Sequence, residues 1–380
     1  MLGLYVHVPF CSAICNYCNF NRGLFDASLK ARYVEALIAE IAAAGQAGRA
    51  GGAGSAGADT IFFGGGTPSL LEPSEIALII AVCEDAFDVA RDREVTLEAN
   101  PESVTEDRLA AYRAAGVNRL SFGVQSFRDD ELKRLSRLHS ADRARAAYGE
   151  ARRAGFDNLS LDLMMWLPGQ RVGQWLESID RAIALAPEHL SLYMLEVYPN
   201  APLKDEMARA RWSQAPDDDA AAMYLTAMER LDAAGLAQYE ISNVARPGRR
   251  SRHNLKYWTD GEWLGFGCGA HSTREGARWK NVSATEEYIA RIQAGESVAS
   301  DMRRLPAAER LGDALFMGLR LSDGVDLSVI GERYGVDVWQ RYGADLARFI
   351  DAGCLLRAGA RLRLTRPGML LANDVMSVFV

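Results

Sequence analysis

The sequence lacks four things, and each absence closes a class of function. No apolar run approaches the ~20 residues that a membrane-spanning helix needs. Basic residues are not in excess: 43 Lys and Arg stand against 50 Asp and Glu, a net of −7. Nucleic acid is therefore not the expected partner, because phosphate binding wants clustered positive charge. The first residues, MLGLYVHVPF, carry no basic stretch or cleavage site and run straight into a strand-like pattern, so no secretory leader is read. The six cysteines do not form a disulfide framework. Three are bunched as Cys11, Cys15 and Cys18, while Cys83, Cys268 and Cys354 are scattered; stapled secreted domains are short and spread their cysteines in pairs. These absences point to the cytoplasm. A chain of 380 residues, 49% of them hydrophobic, needs no staples to bury a core.

What is present alternates. Strand-like runs at 4–10, 60–65, 94–99, 119–125, 159–167 and 189–197 are separated by segments of helical period. After Ser28, for example, Val34, Leu37, Ile38 and Ile41 recur at helical spacing and Gly45 offers a stop. Six βα units in series imply a parallel sheet that right-handed crossovers curl into a partial (β/α)6 barrel. The chain divides into the barrel at 1–200, an extension at 201–300 with a Trp/Gly-rich stretch at 253–272, and a C-terminal module at 301–380. In that module helical stretches precede a hairpin at 355–365, a winged-helix-like α+β pattern. Such modules often bind DNA, and Arg357, Arg361, Arg363 and Arg366 fall on or near the wing. Its 11 Arg against 10 acidic residues make no basic stripe, so a packing or lid role is expected instead. Residues 42–58, 14 of 17 of them Ala or Gly, read as a frayed helix end and a flexible loop without chemistry.

The strongest chemical signal is Cys11-x3-Cys15-x2-Cys18, directly after the first strand. Three thiolates on one tight loop can grip three corners of a four-iron cluster and leave the fourth iron open to an amine and a carboxylate. A zinc site completed by His7, or three incidental thiols, are the alternatives. Position favours the cluster, since α/β barrels place function at the carboxyl ends of their strands. There the sequence puts the cysteines, Gly64-Gly65-Gly66-Thr67-Pro68, Glu98, Gln125, Asp162 and Glu196. Polar groups in apolar strands are costly unless they bind something.

The stretches YVHVPFCSAICNYCNF, FFGGGTPSLL, LEANPES, SFGVQSF, RLHS and LPGQ resemble the radical S-adenosylmethionine family of oxygen-independent coproporphyrinogen III oxidases and their relatives, along nearly the whole chain. The resemblance implies a [4Fe-4S] cluster on Cys11, Cys15 and Cys18, with S-adenosylmethionine on the open iron. By motif, Tyr5 and Tyr17 flank the cluster, Gly65, Gly66 and Thr67 hold the methionine end, and Glu98, Gln125, Arg137, Asp162 and Glu196 surround the nucleoside. One electron, from an electron donor for the cluster, then cleaves the sulfonium to a 5′-deoxyadenosyl radical, chemistry that belongs to the cofactor.

Within that family the decarboxylating oxidases carry a long N-terminal extension and a fourth cysteine two residues after the third. Here the first strand begins at residue 3 and position 20 is Phe20. Both features resemble the heme chaperone HemW branch, also marked by an HNxxYW motif that His253, Asn254, Tyr257 and Trp258 match. An imidazole can ligate heme iron and aromatic rings can pack a macrocycle; the other reading is an aromatic loop in which His253 only hydrogen-bonds. Two departures stand out: Trp166 occupies a place where a small glycine is expected before LPGQ, bringing bulk toward the barrel mouth, and Asn19 stands where an acid is usual. The resemblance implies a protein that binds heme and delivers it to apo-hemoproteins. The rivals are an oxidase decarboxylating coproporphyrinogen III and a winged-helix nucleic-acid-binding regulator.

Overall fold

The computed structural model of the chain describes residues 1–50 and 56–380. Its centre is a run of six parallel strands, β1 (Leu2–Val8), β2 (Gly57–Gly65), β3 (Asp88–Ala99), β4 (Arg119–Gln125), β5 (Leu159–Met165) and β6 (His189–Met194). Each pairs in parallel with the next. An order that never reverses is that of a barrel wall rather than of a doubly wound sheet, whose order reverses at a switch point. The strands read as near-continuous apolar runs because helices cover their outer face and side chains fill the inner one. In β1 every residue but Tyr5 is buried.

The wall extends beyond the six expected strands. A short hairpin, β7 (Ala237–Glu240) and β8 (Asn243–Ala245), adds antiparallel to β6. On the opposite edge β9 (Trp263–Phe266) pairs in parallel with β1. Three antiparallel strands follow it, β10 (His271–Arg274), β11 (Ala277–Asn281) and β12 (Ala299–Arg304), giving the order 12-11-10-9-1-2-3-4-5-6-8-7. At the C-terminus, helices Ala307–Gly318, Leu327–Tyr334 and Val338–Asp351 precede an antiparallel hairpin, Leu355–Ala358 with Arg361–Leu364. Its second strand also pairs with Val325–Asp326.

The first helix runs Ala27–Ala50, through Gly45 rather than stopping there. Gly45 serves packing: a Cβ on it would stand 2.6 Å from the Cα of Ala86 in the next helix. Residues 51–55, the middle of the Ala/Gly-rich segment, lie outside the described residues, and β2 already begins at Gly57.

The bottom of the barrel is closed by a plug helix, Arg252–Trp258. Ser251 caps it through its Oγ, and the buried Glu94 carboxylate accepts the backbone N–H groups of Arg252 and His253, both at 3.1 Å. Two otherwise unpaired donors thus meet a negative charge at the helix N-terminus. His253 points inward beside the start of β1, where a Cβ on Gly3 would meet its ring at 3.0 Å.

Candidate functional site

The carboxyl ends of β1 to β6 open into a cavity of about 490 Å³. Cys11, Cys15 and Cys18 form one wall, and none is paired in a disulfide. Their loop is shaped by a backbone bond from the Cys18 N–H to the Cys15 carbonyl at 3.1 Å and by Arg22, whose guanidinium donates to the Cys18 carbonyl at 2.5 Å. The glycine run after β2 clasps this loop. Gly66 N–H donates to Val8 O and Thr67 N–H to Phe10 O, both at 2.7 Å. A Cβ on Gly66 would stand 2.7 Å from Phe10 O and 3.0 Å from the Cys11 sulfur, so only glycine allows this approach. A Cβ on Gly65, whose φ is +116°, would stand 2.6 Å from the His7 ring.

Arg137 joins the cysteine wall to the nucleoside wall. It donates to the Cys15 sulfur at 3.4 Å, to Asn100 Oδ1 at 2.7 Å and to the Gly123 carbonyl at 2.7 Å. Asn100 in turn donates to Thr67 Oγ1 at 3.0 Å. Sequence reasoning missed Asn100, although it sits inside the LEANPES stretch, one residue beyond β3.

The floor is acidic. Glu98 accepts from the Gly65 N–H at 3.2 Å, and Asp162 accepts from Ser121 Oγ at 3.0 Å. Burial, then the Asp162 carboxylate, push the Glu98 carboxyl up to about 8; burial likewise raises Asp162. Gln125 holds φ +67°, a strained value for a side-chain-bearing residue, and its Oε1 is buried without a hydrogen-bond partner. An orphaned acceptor beside two buried carboxyls fits a ligand bearing hydroxyl and amino donors. Tyr17 also lines the cavity, its phenol pushed up by burial, and Glu196 lies at the rim, accepting from Tyr198 OH at 2.7 Å.

Other expected site residues lie elsewhere. Tyr5 is beneath the cavity, its hydroxyl donating to His7 Nδ1 at 3.0 Å while His7 Nε2–H donates to the Asn21 carbonyl at 2.7 Å. Both nitrogens of His7 are engaged, which removes it as a zinc ligand. Among the described residues no three His, Cys, Asp or Glu side chains converge on a single-ion site.

The HNxxYW residues lie apart from the cavity. His253 is 1% exposed, in the plug at the amino ends of the strands, away from the cavity. Its Nδ1 shares a hydrogen bond with Thr60 Oγ1 at 2.8 Å and its Nε2 with Tyr257 OH at 2.9 Å. Burial, then Lys256, lower it to about 3, so the ring is neutral. Both nitrogens are committed and neither faces an opening, so this arrangement offers no axial position to an iron. Tyr257 packs edge-on against Trp263, Trp258 lies under the Arg320 guanidinium, and the Asn254 N–H caps onto Ser251. The motif builds the plug.

Trp166 does not fill the mouth either. It adopts φ +63°, the conformation glycine takes most easily, and its indole donates to the Ala215 carbonyl at 2.8 Å, outside the cavity lining. Asn19 does line the cavity. Cys83, Cys268 and Cys354 are buried apart from the site.

Residues 5–182 match the radical SAM superfamily and residues 305–371 the HemN C-terminal domain. The chain is 35% identical to the heme chaperone HemW of Bacillus subtilis, covering all of this chain and 99% of that protein. It is 38% identical to the Mycobacterium tuberculosis heme chaperone HemW over 98% of this chain and 93% of that one. The chain belongs to the HemW family of radical SAM proteins. A relative in cattle, 36% identical over 98% of this chain and 86% of that protein, is a mitochondrial radical S-adenosyl methionine domain-containing protein 1. The solved coproporphyrinogen III oxidase (HemN) of Escherichia coli shares the fold, with TM-score 0.86 at 23% identity over all of this chain and 89% of that one. Radical SAM membership implies a [4Fe-4S] cluster and S-adenosylmethionine, and the three thiols beside an orphaned acceptor fit both. Among the described residues no helix is long and apolar enough to cross a membrane.

Proposed function

We propose that this protein is a heme chaperone that carries a [4Fe-4S] cluster and S-adenosylmethionine, binds heme and passes it to apo-hemoproteins. The observation that carries this reading is the end-to-end match to heme chaperones, with Phe20 where an oxidase would place its fourth cysteine. Three free thiols need a reducing compartment, which favours the cytoplasm, and the cluster needs an electron donor.

Each wall of the cavity has a task. Cys11, Cys15 and Cys18 would hold three irons, and Arg137 would place positive charge against the Cys15 sulfur. Gly65, Gly66 and Thr67 present backbone to the methionine end. Glu98, Gln125 and Asp162 offer acceptors to the hydroxyl and amino groups of the nucleoside, where a bound ligand would free Glu98 of its proton. When bound, the cluster and S-adenosylmethionine supply one-electron chemistry. The protein orients them and excludes water.

The test is an anaerobic titration of cluster-reconstituted protein with heme, followed by mixing with an apo-hemoprotein. Saturable uptake and then transfer are expected; no uptake overturns the reading. A second reading, radical decarboxylation of coproporphyrinogen III, is favoured by the complete cofactor constellation. Incubation with that substrate, S-adenosylmethionine and a reductant is expected to give no decarboxylated porphyrin, and product with matching 5′-deoxyadenosine would establish the oxidase.

A further inference from the structure

The cavity is polar at its floor and apolar at its mouth. Ile14 and Phe20 from the cysteine loop, and Tyr193, Met194 and Tyr198 from the end of β6, are exposed there. Five of the 15 exposed large hydrophobic residues among the described ones thus crowd one opening, and exposed apolar surface of that kind marks a binding site. A nucleoside held on Glu98, Gln125 and Asp162 would leave this rim uncovered.

Heme needs an axial ligand, and histidine is its common donor. All five histidines are accounted for. His7, His139, His189 and His253 are buried with both ring nitrogens in hydrogen bonds. His271 is exposed, on β10, outside the cavity lining. The cavity therefore offers iron no imidazole. What it offers at the rim is the thioether of Met194, 45% exposed at the last position of β6, and Met sulfur is an established heme ligand.

Its neighbour supplies a platform. Tyr193, exposed on the cavity lining, adds aromatic surface to the rim. Arg22 also lines the cavity; it bonds only the Cys18 and Phe20 carbonyls and pairs with no carboxylate among the described residues. It is a cation without an anionic partner on a lining that also carries apolar side chains, as an amphiphile with carboxylate arms requires.

The geometry points to heme lying across the cavity mouth, its iron on Met194 Sδ, its macrocycle over the apolar rim and a propionate toward Arg22. This rests on the heme-chaperone reading and gives it a site. An exposed thioether at an open rim suits a cargo that must leave, since the far edge of the macrocycle stays accessible to a recipient.

The test compares anaerobic heme titrations, by absorption and magnetic circular dichroism, of cluster-reconstituted wild type, Met194→Leu, His271→Ala and His253→Ala. Met194→Leu keeps the apolar bulk at an exposed position, and its iron and sulfide content checks that the cluster is intact. Thioether-ligated spectra are expected for wild type and both histidine variants. Met194→Leu should lose that signature and bind roughly tenfold or more weakly. Wild-type spectra in Met194→Leu, or loss of the signature in His271→Ala, overturn the site while leaving the chaperone reading standing. No heme uptake by wild type overturns both.

Discussion

Glu98 holds a carboxyl inside a barrel with another carboxylate for a neighbour, and that sets a pH dependence. In the unfolded chain it titrates near ~4.3; in the fold, burial and Asp162 push it up to about 8. Between those values the folded chain keeps a proton that the unfolded chain releases. Stability from this group is therefore full below the lower value and is lost as pH rises through the upper one. Glu98→Gln removes the penalty. Thermal melts of ligand-free protein should show the wild type losing ground to Glu98→Gln between about pH 5 and pH 8, while the variant binds S-adenosylmethionine more weakly; parallel melting profiles would mean the proton is not held. The cysteines are a simpler case. Cys15→Ser should strip the cluster, because two thiolates keep little hold on four irons, and full iron and sulfide content in the variant would refute the assignment. His253→Ala should cost roughly 2–4 kcal/mol in urea denaturation, through a cavity and two deprived hydroxyls, Thr60 and Tyr257, without moving a heme band. The cysteines and the carboxylates were legible in the sequence because their residue type and strand-end position coincide. The tasks of His253 and Met194 were not, because burial and exposure depend on partners hundreds of residues away or on a rim that no local pattern marks.

At the scale of elements, apolar runs bounded by turn residues located five of the six parallel strands to within a few residues, and RLSFGVQ matches β4 residue for residue, whereas β3 begins six residues before its expected start, in the polar stretch DVARDR. The hidden elements are the short ones. WLGF, four residues with a glycine, becomes a strand only because β1 has an open edge for it. RHNLKYW is a two-turn helix whose stability is tertiary, since isolated helices of that length do not persist. Its dependence on Glu94 can be measured. Glu94→Ala removes both acceptors from the Arg252 and His253 N–H groups, a loss of about 2–3 kcal/mol for charge-assisted bonds. Hydrogen exchange should then quicken across residues 252–258 first, and unchanged exchange there would show that the cap does not hold the plug.

At the scale of the whole molecule, the plug is where the C-terminal module grips the barrel. Arg320 follows the first helix of that module, and its guanidinium lies 4.4 Å over the Trp258 ring and donates to Glu240 Oε2 at 3.0 Å. Its carbonyl accepts from the Ile241 N–H at 3.0 Å, while the Ser322 N–H donates to the Tyr239 carbonyl at 3.0 Å, so the β7–β8 hairpin is stitched to the module by backbone as well. One buried apolar cluster runs through both, from Met223 and Tyr224 beside the barrel to Leu315 and Met369 in the module. The buried Arg320–Glu240 pair lies where the two meet. Glu240 is fully buried, and burial already raises its carboxyl against the pull of Arg320. Arg320→Met keeps the contact with Trp258 but strands that carboxyl, which costs about 3–5 kcal/mol where a buried pair loses one partner. Pairing it with Glu240→Gln removes the stranded charge and should recover much of the loss. Urea denaturation of the single and double variants reads both effects. If the double variant is no more stable than Arg320→Met, the loss lies in packing over Trp258 rather than in the uncompensated charge.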